Sequence, residues 1–183
     1  RRNQNGFGKP GRQKRRNSHL KNTMKDLSLH LLDIAHNSIR AHATAIRISI
    51  VIEEIKDLLC ISIQDNGSGM TAAQLSRITD PFYTSRTTRK VGLGIPLLQQ
   101  KAEECKGALI LESTLGRGTY LKAHFQNSHI DLPEIGDIAG VVAMLSCSFP
   151  NIHFIFHFSN SKITYIYDTK DITEALDGLA INT

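Results

Sequence analysis

Three places in this chain carry residue types that could do chemistry together. Asp33 and Asn37 stand four residues apart in "LLDIAHNSIRAH", which puts both side chains on one face of a helix. Asp65 heads "DNGSGM", where a carboxylate is followed at once by Gly67, Gly69 and Met70. A basic stretch with Arg86, Arg89 and Lys90 runs into Gly92, Leu93 and Gly94 at the start of a helical pattern. Glycines let a small molecule press against bare backbone. Free N–H groups at a helix start favour negative charge. Each piece also has a plain structural reading. Asn-Gly marks turns, a polar pair on a helix is commonly a solvated face, and a lone Gly-x-Gly is weak evidence.

The elements around these residues can be read from periodicity. Leu27, Leu31, Ile34, Ala35 and Ile39 form one apolar stripe over residues 26 to 42, which predicts a helix. Ile46, Ile48, Ile50 and Ile52 alternate, which predicts a strand with one buried face. The charged turn "EEIKD" leads to a second strand over 58 to 64, paired with the first as an antiparallel hairpin. Thr71 and Gln74 form a capping box for a short helix, "AAQLSRI". "TDPFYTSRTTRKVG" has no period and reads as a loop, in which Phe82 is a packing residue. "GLGIPLLQQKAEECKG" reads as a helix with Pro96 in its first turn and Gly107 at its stop. "ALILEST" and "TYLKAHF", joined by "LGRG", form another hairpin. The order predicts an α+β protein, a two-layer α/β sandwich whose helices cover one face of a mixed, mostly antiparallel sheet. Residues 127 to 183 predict a small αββ extension: a helix over "DIAGVVAMLSC", a hairpin of "IHFIFHF" and "ITYIYDT", and the start of a last helix at "DITEAL".

Bulk properties narrow the class. The chain has 183 residues, 40% of them apolar, enough for one domain with a real core. No apolar run approaches the ~20 residues that a membrane helix needs, and no secretory leader is evident, so a cytoplasmic protein without membrane contact is expected. Cys60, Cys105 and Cys147 are too scattered for a zinc site and read as reduced, buried thiols. The net charge of +5 is a tail property. Residues 1 to 23 hold eight Lys or Arg and no acid, whereas from Met24 onward 14 basic residues face 17 acidic ones. The tail has little apolar content to offset the cost of ordering, and reads as a disordered basic leader rather than a nucleic-acid arm.

Taken together, the motifs resemble the ATP-binding domain shared by DNA gyrase, Hsp90, histidine kinases and MutL, known as the GHKL superfamily and the Bergerat fold. "LLDIAHNSIRAHATAIRISI" is similar to the N-box helix and following strand, and "DNGSGM" to the first glycine box. "DPFYTSRTTRKVGLGIPLLQQ" resembles the phenylalanine box, lid and second glycine box, and "ESTLGRGTYLKAHF" the closing hairpin of sensor kinases. The resemblance covers about residues 26 to 126, within a domain expected over residues 24 to 126. It implies ATP and Mg2+ as cofactors, with Asn37 offering magnesium a neutral amide oxygen. It implies that Asp65 accepts the exocyclic amine of adenine, that Thr119 supports that contact, and that Gly67, Gly69 and Met70 lie against the base. Gly92, Leu93 and Gly94 would face the phosphates, with Arg86, Arg89 and Lys90 neutralising them. Asp33 would be the catalytic acid or base, although aspartate is one methylene shorter than the usual glutamate.

A sensor kinase also needs a phosphoacceptor histidine on a helical hairpin. The residues ahead of the first helix have no such pattern, and His30 and His36 lie within the helix. The expectation is a stand-alone Mg-ATP-binding regulatory protein: a signalling kinase or slow ATPase working on a protein partner through the lid or the extension, with a second copy as another partner. The alternative is a non-catalytic module that binds nucleotide or docks a partner.

Overall fold

The computed structural model describes residues 26–79 and 94–175. The basic leader, Arg86, Arg89, Lys90, Gly92 and Leu93 lie outside the described residues, so those expectations stay at the sequence level.

The described chain runs α1 (Leu27–Arg40), β1 (Ala45–Glu53), β2 (Leu58–Asp65), α2 (Ala72–Thr79), α3 (Gly94–Glu104), β3 (Ala108–Thr114) and β4 (Gly118–Gln126). It continues with α4 (Ile138–Ser148), β5 (His153–Ser159), β6 (Thr164–Asp168) and α5 (Thr169–Ala175). The six strands form one sheet in the order β3-β4-β2-β1-β5-β6. Only the β1–β5 pair is parallel. This is the two-layer α+β sandwich expected from the pattern. Ile46, Ile48 and Ile50 of β1 align with Ile61 and Ile63 of β2 and with Phe154 and Phe156 of β5, and all are buried with Leu27, Leu31 and Leu98 from the helices. The alternate residues Arg47 and Gln64 point to the exposed side.

The extension adds to the same sheet. β5 docks on the free edge of β1, Ala45 aligned with His153 through Val51 with Ser159, and β6 pairs outside it. The connection carries α4 onto α1, where His36 meets the Phe149 ring edge-on at 6.2 Å between centroids. His36 is thus half-buried against the extension. Cys147 departs from expectation. It lies on the outer side of α4 and is exposed, while Cys105 is buried.

Local signals held α1 and α2 where the pattern put them. Asp26 caps α1, accepting from the Leu29 N–H at 3.0 Å. In α2 the box is reciprocal: the Thr71 N–H donates to Gln74 Oε1 at 2.8 Å and the Gln74 N–H to Thr71 Oγ1 at 3.3 Å. The end of α3 differs in its physical cause. The left-handed residue is Lys106, with φ 56°, and the Gly107 N–H reaches back to the Ala102 carbonyl at 2.7 Å. Gly107 is needed because a Cβ there would overlap the His124 carbonyl of β4. Lys106→Gly should therefore raise stability by about 1 kcal/mol, since a left-handed L-residue is strained. Gly107→Ala should lower it by at least about 2 kcal/mol through overpacking. Urea unfolding of the two variants checks both signs, and equal midpoints would contradict this assignment of the cap.

Candidate functional site

The site is built from the turn that follows β2. Asn66 side-chain Oδ1 accepts from the Thr44 and Ala45 N–H groups, each at 2.9 Å, so it clasps the start of β1. The Ser68 N–H donates to the Ala41 carbonyl at the end of α1, and the Ser68 carbonyl accepts from Gly116 in the β3–β4 turn. Gly67 packs onto Ala41, and Gly69, with φ 61°, lies so close to Thr114 that a Cβ would overlap its carbonyl. Both glycines are thus required by close approach of the protein's own backbone.

This turn holds Asp65 at the end of β2 with 9% exposure. Its Oδ1 accepts from the Gly67 N–H at 2.9 Å and its Oδ2 from the Ser38 hydroxyl at 2.6 Å. Thr119 is its direct cross-strand neighbour on β4, and Ser113 links Thr119 (3.0 Å) to the Met70 N–H (2.9 Å). Together these groups border a cavity of about 500 Å³. Its walls are largely apolar, among them Ile34, Ile63, Ile78, Leu111 and Leu121, with Asn37, Asp65, Gly69, Met70 and Thr119 supplying polar or bare-backbone surface. A pocket of that size with a few fixed polar groups is the usual form of a small-molecule site.

Of the residues expected from sequence, Asn37, Asp65, Gly69, Met70 and Thr119 line this cavity. Gly67 supports Asp65 from behind. Asp33 stands one turn before Asn37, outside the lining, against the first residue of α3: a Cβ on Gly94 would overlap Asp33 Oδ2. Two residues that sequence reasoning passed over belong here. Ser38 lies within the helix motif, where only its neighbour Asn37 hints at a role. Arg40, also in the lining, donates from Nη1 to Asn37 Oδ1 at 3.1 Å; its i,i+3 spacing was the available signal. Among the described residues no group of three or more His, Cys, Asp or Glu could hold a metal ion. No helix of the described residues is long and apolar enough to cross a membrane.

His30 lies below this site on α1, 2% exposed. Burial lowers its pKa, against the pull of the Gly94 backbone and of Asp26 and Asp33.

An N-box-like helix, a glycine turn after β2 and an apolar cavity ending on a fixed carboxylate define a nucleotide-binding class of fold. Comparison agrees: residues 23–129 match the family of histidine kinase-, DNA gyrase B-, and HSP90-like ATPases, and the chain belongs to it. Sporulation kinase E of Bacillus subtilis (strain 168) is 34% identical over 103 residues, 56% of this chain and 13% of the relative. Sensor protein kinase FleS of Pseudomonas aeruginosa is 37% identical over 89 residues, 49% of this chain and 22% of the relative. The chain thus spans less than a quarter of either kinase. The N-terminal domain of a DNA repair protein superposes with a TM-score of 0.54 at 16% identity, over 79% of this chain and 52% of that one, a likeness of fold.

Two outcomes follow from the geometry. Ser38→Ala leaves Asp65 Oδ2 without its hydroxyl and should cost about 1–3 kcal/mol of stability, measured by urea unfolding. His30, whose pKa is lowered in the folded state, takes up its proton first in the unfolded chain. Its contribution is complete above the ordinary value of 6.5 and is lost as pH falls below it. The melting temperature should therefore drop below about pH 6.5, and His30→Gln should flatten part of that drop. A parallel pH profile in the variant would contradict the sign.

Proposed function

We propose that this chain binds Mg-ATP in the cavity between α1, α2 and α3 and the β2–β4 sheet, and serves as a signalling kinase or slow ATPase that works on or through a protein partner. The observation that carries this reading is Asp65: a carboxylate oriented by two hydrogen bonds at the end of an apolar slot. An aromatic base with an amine edge satisfies both features, because the slot takes the ring and the carboxylate accepts from the amine. Adenine offers that edge; guanine presents a carbonyl there, which a carboxylate repels.

The family's ATPase chemistry supplies the rest of the reading. The N–H groups at the start of α3 would meet the phosphates. Asn37 would hold a magnesium ion, a hard ion that takes amide and phosphate oxygens and neutralises charge as the phosphoryl group transfers. Its Oδ1 accepts from Arg40 in this structure, so the guanidinium has to give way to the ion. Asp33 would orient or deprotonate the attacking group. Asp33 stands outside the cavity lining, and that favours a second reading, a passive nucleotide binder.

Calorimetric titration with ATP, ADP and GTP in magnesium, with released phosphate assayed in the same samples, separates these readings. Adenine nucleotides should bind and GTP should not. Asp65→Asn should weaken ATP about 10- to 100-fold, the worth of a hydrogen bond to a charged group. Asp33→Ala should abolish phosphate release and spare binding. A folded wild type that binds no nucleotide sinks the proposal, and binding without turnover alone or with any added protein leaves the passive binder.

A further inference from the structure

β6 ends the sheet, and nothing in its own sequence guards that edge. Sheets blunt a free edge with lysine, proline or a bulge, because an unpaired strand takes up another strand. From Ile163 to Tyr167 there is no charge and no proline, and the pairing of β6 with β5 runs unbroken from Thr164 to Asp168. Apolar side chains stand exposed on both faces. Ile163 and Tyr165, on the helix side, are 56% and 52% exposed, and Ile166, on the open side, is 63% exposed.

The backbone groups are free to pair as well. The Asn160 N–H donates to the Ile163 carbonyl at 2.9 Å, which closes the β5–β6 hairpin on a hydrogen-bonded pair. Antiparallel ladders alternate, so Tyr165 and Tyr167 turn their N–H and C=O toward β5, and Thr164 and Ile166 turn theirs outward. At the opposite edge of the sheet, α2 and α3 both pack on β3, whereas α5 turns back over β5.

We infer that β6 is a dimerisation edge, on which β6 of a second copy of this chain pairs antiparallel about a two-fold axis normal to the sheet. The occupant is a second copy because the strand is complementary to itself. With Tyr165 opposite the partner's Tyr165, Thr164 meets the partner's Ile166 and Ile163 meets the partner's Tyr167. The outward N–H and C=O groups of Thr164 and Ile166 then satisfy one another across the axis. Lys162 comes opposite the partner's Asp168. In that carboxylate His153 and the Lys170 N–H both use Oδ1, which leaves Oδ2 for the ammonium. The neighbouring register that keeps the same faces together is centred on Ile166, and it sets Lys162 against the partner's Lys170. Charge therefore selects the register centred on Tyr165. The helix layers of both copies lie on one side of the joined sheet. This inference stands apart from the nucleotide reading and needs no ligand.

Sedimentation of the full chain over a concentration series tests it, with thermal melts as the control for folding. The wild type should pass from one chain mass to two by about 100 µM, as a micromolar dissociation constant requires. Ile166→Lys and Thr164→Lys each put a cation on the pairing edge and should raise that constant about tenfold or more. A wild type still monomeric at that concentration overturns the inference and leaves the edge to a strand of another protein. A dimer that survives both folded lysine variants overturns it too, since its contact lies elsewhere. Should the lysine variants unfold, cross-linking decides, in a Cys147→Ser chain that lacks the exposed thiol. Oxidation of Tyr165→Cys should give a covalent dimer, because opposed residues of a non-hydrogen-bonded pair stand about 4.5 Å apart at Cα. Ile166→Cys faces the partner's Thr164 and should stay single. No covalent dimer from Tyr165→Cys, or as much from Ile166→Cys, overturns the inference.

Discussion

The turn at residues 66–70 is the constraint on which the site depends. It ends β2, and its bonds run to elements that sequence separates widely: Asn66 to the start of β1, Ser68 to the end of α1 and to the β3–β4 turn. The backbones meet so closely at Gly67 and Gly69 that no side chain fits. A turn held from three sides cannot drift, and so the carboxylate at its base is held too. Preorganisation of this kind lowers the cost of binding, because the polar group needs no reordering when a ligand arrives.

The two ends of the site are built by different means. At Asp65 the sheet does the work: β2 and β4 are in register so that Thr119 stands beside the carboxylate, and Ser38 reaches it from the helix layer. At the other end the work is done between helices. Gly94 allows α3 to approach Asp33. Strand register is rigid on the scale of a hydrogen bond, whereas a helix–helix contact through one glycine can shift. Strand register thus fixes the Asp65 end of the cavity, and a helix–helix contact at Gly94 sets the position of Asp33.

The C-terminal strands change what the family's domain offers its surroundings. β5 occupies the edge of β1 in parallel, and β6 becomes the new edge. Phe154 and Phe156 join the same core as the residues of β1, β2 and β4, so the added unit is continuous with the sheet. Its helix α4 packs on α1, the helix that carries Asp33 and Asn37. Two side chains of α1 therefore face outward elements at once: His36 toward Phe149 and Asn37 toward the cavity.

Sequence alone determined whatever depends on neighbours within a turn or two. The stripe of α1, the alternation of β1, the capping box of α2 and the order of the motifs are local properties, since they follow from the periods of helix and strand. Asp65 is legible as a candidate through the order and spacing of the motifs, since Asn-Gly after a strand by itself reads as a turn. Only the tertiary structure decided what depends on contacts across the chain. Ser38 and Asp65 are distant in sequence and 2.6 Å apart in space. Gly107 is demanded by a carbonyl of β4, while Lys106 takes the left-handed place that sequence reading gives to glycine. The pairing of β5 with β1, and the approach of Gly94 to Asp33, join segments whose own patterns say only that they are strand or helix. Periodicity reports which face of an element is buried; it carries no information about which distant element buries it.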